Sequence, residues 1–277
     1  MSSPQPRILM CPPDFYQIQY EINPWMDQAQ QVDTDLAAQQ WQNLRSLIES
    51  VGAQVSVIDP VEGLPDMVFT ANAALIYRDR AIVARFRHAE RQGEEEHFHR
   101  WLTANGFSAE PPPGDAYFEG AGDALFCGDT LFAGYRLRSD AGGLQEIGES
   151  LGVRVIPLEL VDPFFYHIDT CFCPLDTTSA IYFPWALDAY GRRVMNETVD
   201  DLVTAEEDEA RRFCCNAVVI NRHVITNTGC PKLHAELQSL GFETHATELD
   251  EFLKAGGSAK CLTLRLDGEE GAGWKSS

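Results

Sequence analysis

The chain has 277 residues, 44% of them apolar, which excludes a disordered chain and allows one large domain or two small ones. Its net charge of −21, from 42 acids against 21 bases, argues against nucleic acid as a partner, because phosphate binding needs clustered Lys and Arg. No run approaches the roughly 18 apolar residues of a membrane span, and the start MSSPQPRILMCPP lacks the pattern of a secretory leader, so a cytoplasmic protein with no membrane partner is expected.

The first element is the strand RILMC near the front. A helical stripe follows at Ala37, Trp41, Leu44, Ile48 and Val51, capped by Thr34 and stopped by Gly52, and then the strand QVSVID. Ala73 to Arg85 reads as a hairpin turning at Arg78–Asp79. Glu94 to Asn105 is helical, with Phe98, Trp101 and Leu102 on one face and Gly106 as the stop. A second hairpin runs from Asp123 to Tyr135, turning at Gly128–Asp129. The helix Ala141 to Leu151 and the strand VRVIPL come next. Cys171 to Pro184 is a third hairpin, and Thr204 with Glu207 predicts a capping box ahead of a helix carrying Ala210, Phe213 and Cys214. The fourth hairpin, Asn216 to Thr228, leads to a helix from Pro231 to Leu240 stopped by Gly241. CLTLRL, with Cys261 opening an alternating strand, ends the pattern, and the tail from about 267 to 277 reads as flexible.

The hairpins start about 45 to 50 residues apart. Pairing RILMC with CLTLRL makes a fifth and brings the termini together, and a ring has no exposed sheet edge. The expected fold is one α/β domain over residues 1–277, an α/β-propeller of five ββαβ units around a pseudo-fivefold axis. A generic α/β sandwich with accidental spacing is the alternative.

Strand ends in such a ring converge on a central hollow. Asp66, Glu119, His167, Asp169 and Cys261 lie near such ends in apolar settings, where an unpaired charge is costly. Carboxyls, an imidazole and a thiol together form an active-site inventory. Taken singly, each has a structural reading. Cys261 is a buried sulfur, His167 a satisfied core histidine, Asp66 and Glu119 turn residues, and Asp169 a holder of His167. The eight cysteines lack paired CxxC spacing, so no metal is expected and most read as reduced, buried residues.

The order of motifs goes further. PDMVFTAN, FEGAGDAL, HIDTCFCPL and GGSAKCLTLRL resemble the guanidino-group-modifying enzymes of the pentein fold, over Arg7 to about Leu266. Within that superfamily, CPPDFYQIQYEINPWM, FTANAALI and FEGAGDAL resemble the arginine dihydrolase subgroup, which forms ornithine, ammonia and carbon dioxide. Dimethylarginine hydrolases typically carry Glu-Asp where this chain has Ala71–Asn72, and lack an acid two residues after the histidine. The resemblance implies a hydrolase of C–N bonds in linear amidines, with Cys261 as nucleophile, His167 as general acid/base and Glu119 as its acidic partner. It implies Arg91 and Arg138 on the α-carboxylate of an L-arginine-like small molecule, Asn72, Asp66 and Asp169 at the guanidinium, and Asn23 with Ala255 at the cavity mouth. No cofactor is implied, and a homo-oligomer is compatible with the sequence. The rivals are an arginine deiminase, a dimethylarginine dimethylaminohydrolase, an amidinotransferase, and a binding module like the catalytically inert translation factor with the same ring.

Overall fold

The computed structural model of the protein describes residues 5–276. They form five three-stranded sheets, each built the same way. In the first, β15 (Leu264–Arg265) pairs antiparallel with β1 (Arg7–Met10), and β1 pairs parallel with β2 (Gln54–Val57). The helix Thr34–Ser50 makes the crossover that a parallel pair requires. The second sheet holds β3 (Ala74–Tyr77), β4 (Arg80–Val83) and β5 (Ser108–Glu110), with the crossover helix Glu94–Ala104. The third holds β6 (Ala124–Cys127), β7 (Thr130–Tyr135) and β8 (Arg154–Glu159), with Ala141–Leu151. The fourth holds β9 (Phe172–Pro174), β10 (Ser179–Tyr182) and β11 (Asp201–Thr204), with Ala189–Thr198. The fifth holds β12 (Val218–Ile220), β13 (His223–Asn227) and β14 (Glu243–Thr247), with Pro231–Ser239.

Each unit touches the next, and the fifth closes on the first where the helix Thr34–Ser50 meets β14. That contact completes the expected ring of five ββαβ units. The crossover helices seal the sheets with an apolar stripe: Trp41, Leu44 and Ile48 in the first unit, Phe98 and Leu102 in the second, Leu144 and Ile147 in the third. Each such side chain contributes roughly 2 kcal/mol of burial. No helix among the described residues is long and apolar enough to cross a membrane. All eight cysteines are unpaired and buried.

Four expectations need correction. The helix after the third hairpin is Ala189–Thr198, not the stretch following Thr204; Thr204 ends β11, and only one helical turn, Glu207–Ala210, follows it. Its buried residues are Gly191 and Met195 alone, so it shows almost no stripe to read. The first helix is capped by Asp33, whose side chain accepts from Leu36 N, rather than by Thr34. Cys261 does not open a strand; it sits in a turn three residues ahead of β15. The stretch after Leu266, read as flexible, packs: Trp274 stands edge-on to Phe126 with ring centres 4.5 Å apart, and Ala272 is buried. Residue 277 lies outside the described residues.

Candidate active site

A short turn precedes the first strand of every hairpin, and these turns meet at the axis. Two 3₁₀ turns, Pro65–Val68 and Thr70–Ala73, carry Asp66 and Asn72 into it. The helical turn Gly120–Asp123 follows Glu119, and Ile168–Thr170 follows His167 and carries Asp169. Asn216 and Cys261 stand ahead of β12 and β15. Hydrogen bonds tie turn to turn. Ala71 N donates to Cys261 O at 3.1 Å, Ile168 N to Asp123 Oδ1 at 3.3 Å, and Cys261 N to Asn216 Oδ1 at 3.1 Å. The pseudo-symmetry thus brings residues nearly 200 positions apart in sequence (Asn72 and Cys261) to one place.

Two networks share that place. In the first, His167 Nε2 lies 2.7 Å from Glu119 Oε2, which also accepts from Arg138 Nη1 at 3.0 Å. Across the ring, Asn72 Nδ2 faces His167 Nδ1 at 3.4 Å, and Asn72 Oδ1 accepts from Arg91 Nη1 at 2.9 Å. Arg91 can only donate, so it fixes the orientation of the Asn72 amide. That amide then presents N–H to the imidazole, which makes Nδ1 the acceptor and places the ring proton on Nε2, toward Glu119. Burial pulls His167 down to about 4 against the pull of Glu119, so the ring is neutral near pH 7. Arg138 and His167 hold Glu119 well below the usual carboxylate range despite its burial.

The second network surrounds the sulfur. Asn216 Nδ2 donates to Cys261 Sγ at 3.1 Å, and the thiol points to Asp169 Oδ2 at 3.5 Å. Burial, with the Asp169 charge adding to it, pushes the thiol well above its ordinary range. Burial also raises Asp169 to about 7, with Lys260 pulling the other way. Asp169 Oδ1 is buried with no hydrogen-bond partner among the described residues. An unpaired buried oxygen is costly, and a donor carried by a ligand would satisfy it.

A narrow cavity joins the networks. Asn23, Asp66, Asn72, Arg91, Arg138, Ala255 and Cys261 line it; His167, Glu119 and Asp169 sit behind them. The ten residues singled out in the sequence therefore converge, but not all in the expected manner. Arg91 is largely committed: it meets Glu94 in a two-pronged ion pair at 2.8 and 2.9 Å, and also donates to Asn72 and to Asp66 O. Among the described residues, the Arg138 side chain donates only to Glu119 and Ile22 O, and its Nε has no hydrogen-bond partner. Asn23 Nδ2 already donates to Ala255 O at 3.0 Å. Sequence reading missed Asn216 and Tyr166, whose hydroxyl donates to Gly256 O at 2.7 Å beside the cavity. Asn216 had a signal. Asn72-Ala73 and Asn216-Ala217 occupy the same place, just ahead of β3 and of β12.

Chemically, the site gathers a thiol, a neutral imidazole beside an ionised carboxylate, and two further buried carboxyls around one cavity. Comparisons with known proteins identify relatives of the chain. Residues 15–266 match the family model described as N,N dimethylarginine dimethylhydrolase, eukaryotic. The bifunctional arginine dihydrolase/ornithine cyclodeaminase ArgZ of Synechocystis sp. is 46% identical over 94% of this chain. The chain spans 37% of that relative's length. The N(G),N(G)-dimethylarginine dimethylaminohydrolase of Mycobacterium tuberculosis is 39% identical, over 94% of this chain and 85% of that protein. The crystal structure of the N-terminal domain of ArgZ, a cysteine-to-serine variant bound to substrate and described as an arginine dihydrolase, superposes with a TM-score of 0.91 at 44% identity. It covers 95% of this chain and 98% of that one. From the ring of five units, the site and these matches together, the chain belongs to the dimethylarginine dimethylhydrolase family of guanidino-group-modifying penteins.

Proposed function

We propose that the chain is an arginine dihydrolase, converting L-arginine and two waters into L-ornithine, two ammonia and carbon dioxide within a single catalytic domain. The observation that carries the reading is the unpartnered Asp169 Oδ1 beside the Cys261 thiol. A planar guanidinium supplies the missing donors, and Asp66, which lines the same cavity, takes its other edge. Arg138, with donors to spare, takes the α-carboxylate; Arg91 helps there with its one uncommitted N–H and otherwise fixes Asn72. Ala255 O keeps a second lone pair for the α-ammonium, steadied by Asn23.

The bound cation stabilises the thiolate that the free site disfavours. The thiol proton passes to His167 Nδ1, the sulfur adds to the guanidinium carbon, and the protonated ring returns the proton to the departing ammonia. A covalent thiouronium remains. His167 then takes a proton from water, which attacks the same carbon, and the carbon–sulfur bond breaks to return the thiol. Glu119 holds the ring and offsets its charge in each half. A deiminase would stop here, at citrulline. Asn72 supports a second round, because a neutral amide can bond the neutral ureido group where a carboxylate prefers a cation. The likeness to the substrate-bound ArgZ domain supports the same substrate.

The family model favours a second reading, hydrolysis of methylated arginine. Product analysis separates them. Purified protein given L-arginine is expected to yield two ammonia per ornithine, with Cys261→Ser inactive. Citrulline as the sole product would leave a deiminase, and turnover of dimethylarginine alone would overturn the arginine reading. No turnover of either leaves the non-catalytic binding module.

A further inference from the structure

Away from the cavity, the described residues hold one group of three side chains that could each offer a ligand atom to a metal: His223, Glu243 and His245. Strand register puts them together. β13 and β14 are parallel, with His223 opposite Glu243 and Ile225 opposite His245. Opposed residues in such a pair project to one side, and residues two apart share a face. All three therefore stand on the same face of the fifth sheet, along its β14 edge.

Their spacing fits a shared cation. His223 Nδ1 and His245 Nε2 lie 3.1 Å apart, and Glu243 Oε2 lies 3.5 Å from His223 Nδ1. Ligands at the zinc distances of about 2.0–2.2 Å, set tetrahedrally, stand roughly 3.3–3.5 Å from one another. We propose that His223, Glu243 and His245 form a surface site for a first-row divalent cation, with zinc the preferred occupant. Two imidazoles and one carboxylate suit such an ion; calcium and magnesium want oxygen alone. The histidines are half-buried and held by the sheet, while Glu243 is 71% exposed at its side chain and closes over the ion. Water completes the shell. The ion pins β14, the outer strand, to β13 by a bond between side chains. This site is independent of the arginine chemistry.

Without a metal, two ring nitrogens at this distance share a proton as an N–H···N bond, so the rival is well defined. The test uses the full chain carrying Cys261→Ser, which removes the active-site thiol as a competing ligand. Zinc is titrated by calorimetry, and the imidazole ¹⁵N shifts are followed by NMR. The expected result is one zinc per chain, shifts confined to His223 and His245, and binding weakened at least about tenfold by either His→Gln change. Unchanged affinity in the His223→Gln/His245→Gln double variant would overturn the site. So would the absence of any shift at His223 and His245 up to millimolar zinc. The NMR measurement needs no substitution at the site, so a variant that folds poorly does not protect the proposal.

Discussion

Burial in the site is costly for a carboxyl that lacks a full set of partners. Asp169 illustrates the cost. Its carboxyl is raised from 3.8 to about 7, burial being the largest cause. A raised acid favours the folded state below its unfolded value, and that contribution is lost as pH climbs from 3.8 through about 7. Asp169→Asn removes the penalty, so the variant is predicted to gain stability over the parent chain between about pH 4 and pH 8, on the order of a few kcal/mol. It should lose turnover at the same time, the trade expected where function needs a destabilised group. Thermal melts at both pH values check this; a variant no more stable at the higher pH refutes the charge state given to Asp169. Cys261, His167 and Glu119 were legible because three motifs occur in order, each weak alone. Asn216 was not, because an amide ahead of a hairpin looks like any turn residue until the repeat is aligned on Asn72. Nor could sequence reveal that Arg91 is spent on Glu94, since that pairing depends on side-chain direction within a buried helical turn.

Hairpins were legible at the level of elements because their turns carry explicit chemistry: Arg78, Gly128 and Asn221 all adopt positive φ where the chain reverses. The fourth crossover helix was not, because a helix burying only Gly191 and Met195 leaves no periodic stripe. The apolar run after Thr204 misled for the opposite reason: Phe213 and Cys214 are buried, but Phe213 sits at φ 61° in a turn that leads into β12. The turns ahead of the hairpins are the elements on which the site depends, and they tolerate little. A Cβ added at Gly122 would lie 2.0 Å from Asn72 Nδ2 and 3.5 Å from His167 Cγ. Gly122→Ala is therefore predicted to push the Asn72 amide off the imidazole and lower turnover by about a hundredfold. Circular dichroism should show the fold retained. Parental rates in this variant would mean that the contact between Asn72 and His167 has no role.

For the whole molecule, closure of the ring is what assembles a site from five separate turns, and it depends on both ends of the chain. β1 and β15 pair, and Arg7 N donates to Asp267 Oδ1 at 3.2 Å. The period and the complementary end strands made this closure readable. The final stretch was misread because Gly, Glu and Ser dominate it, a composition that gives no hint of a docking surface supplied by residues far away. Gly128 N donates to Gly271 O at 2.6 Å, and Trp274 meets Tyr77 of the second unit and Phe126 of the third at 4.8 and 4.5 Å between ring centres. The tail thus spans the seam between two units, on elements other than the turns that carry the site. Trp274→Ala removes edge-to-face aromatic contacts and leaves a gap at the seam, predicting a loss of about 2 kcal/mol. Because Trp274 does not line the cavity, turnover per folded molecule should stay at the parental value below the melting transition. Denaturant unfolding paired with arginine turnover checks both halves. An unchanged midpoint would return the tail to the passive role its composition suggests, and a loss of turnover without a loss of stability would mean that the seam reaches the site.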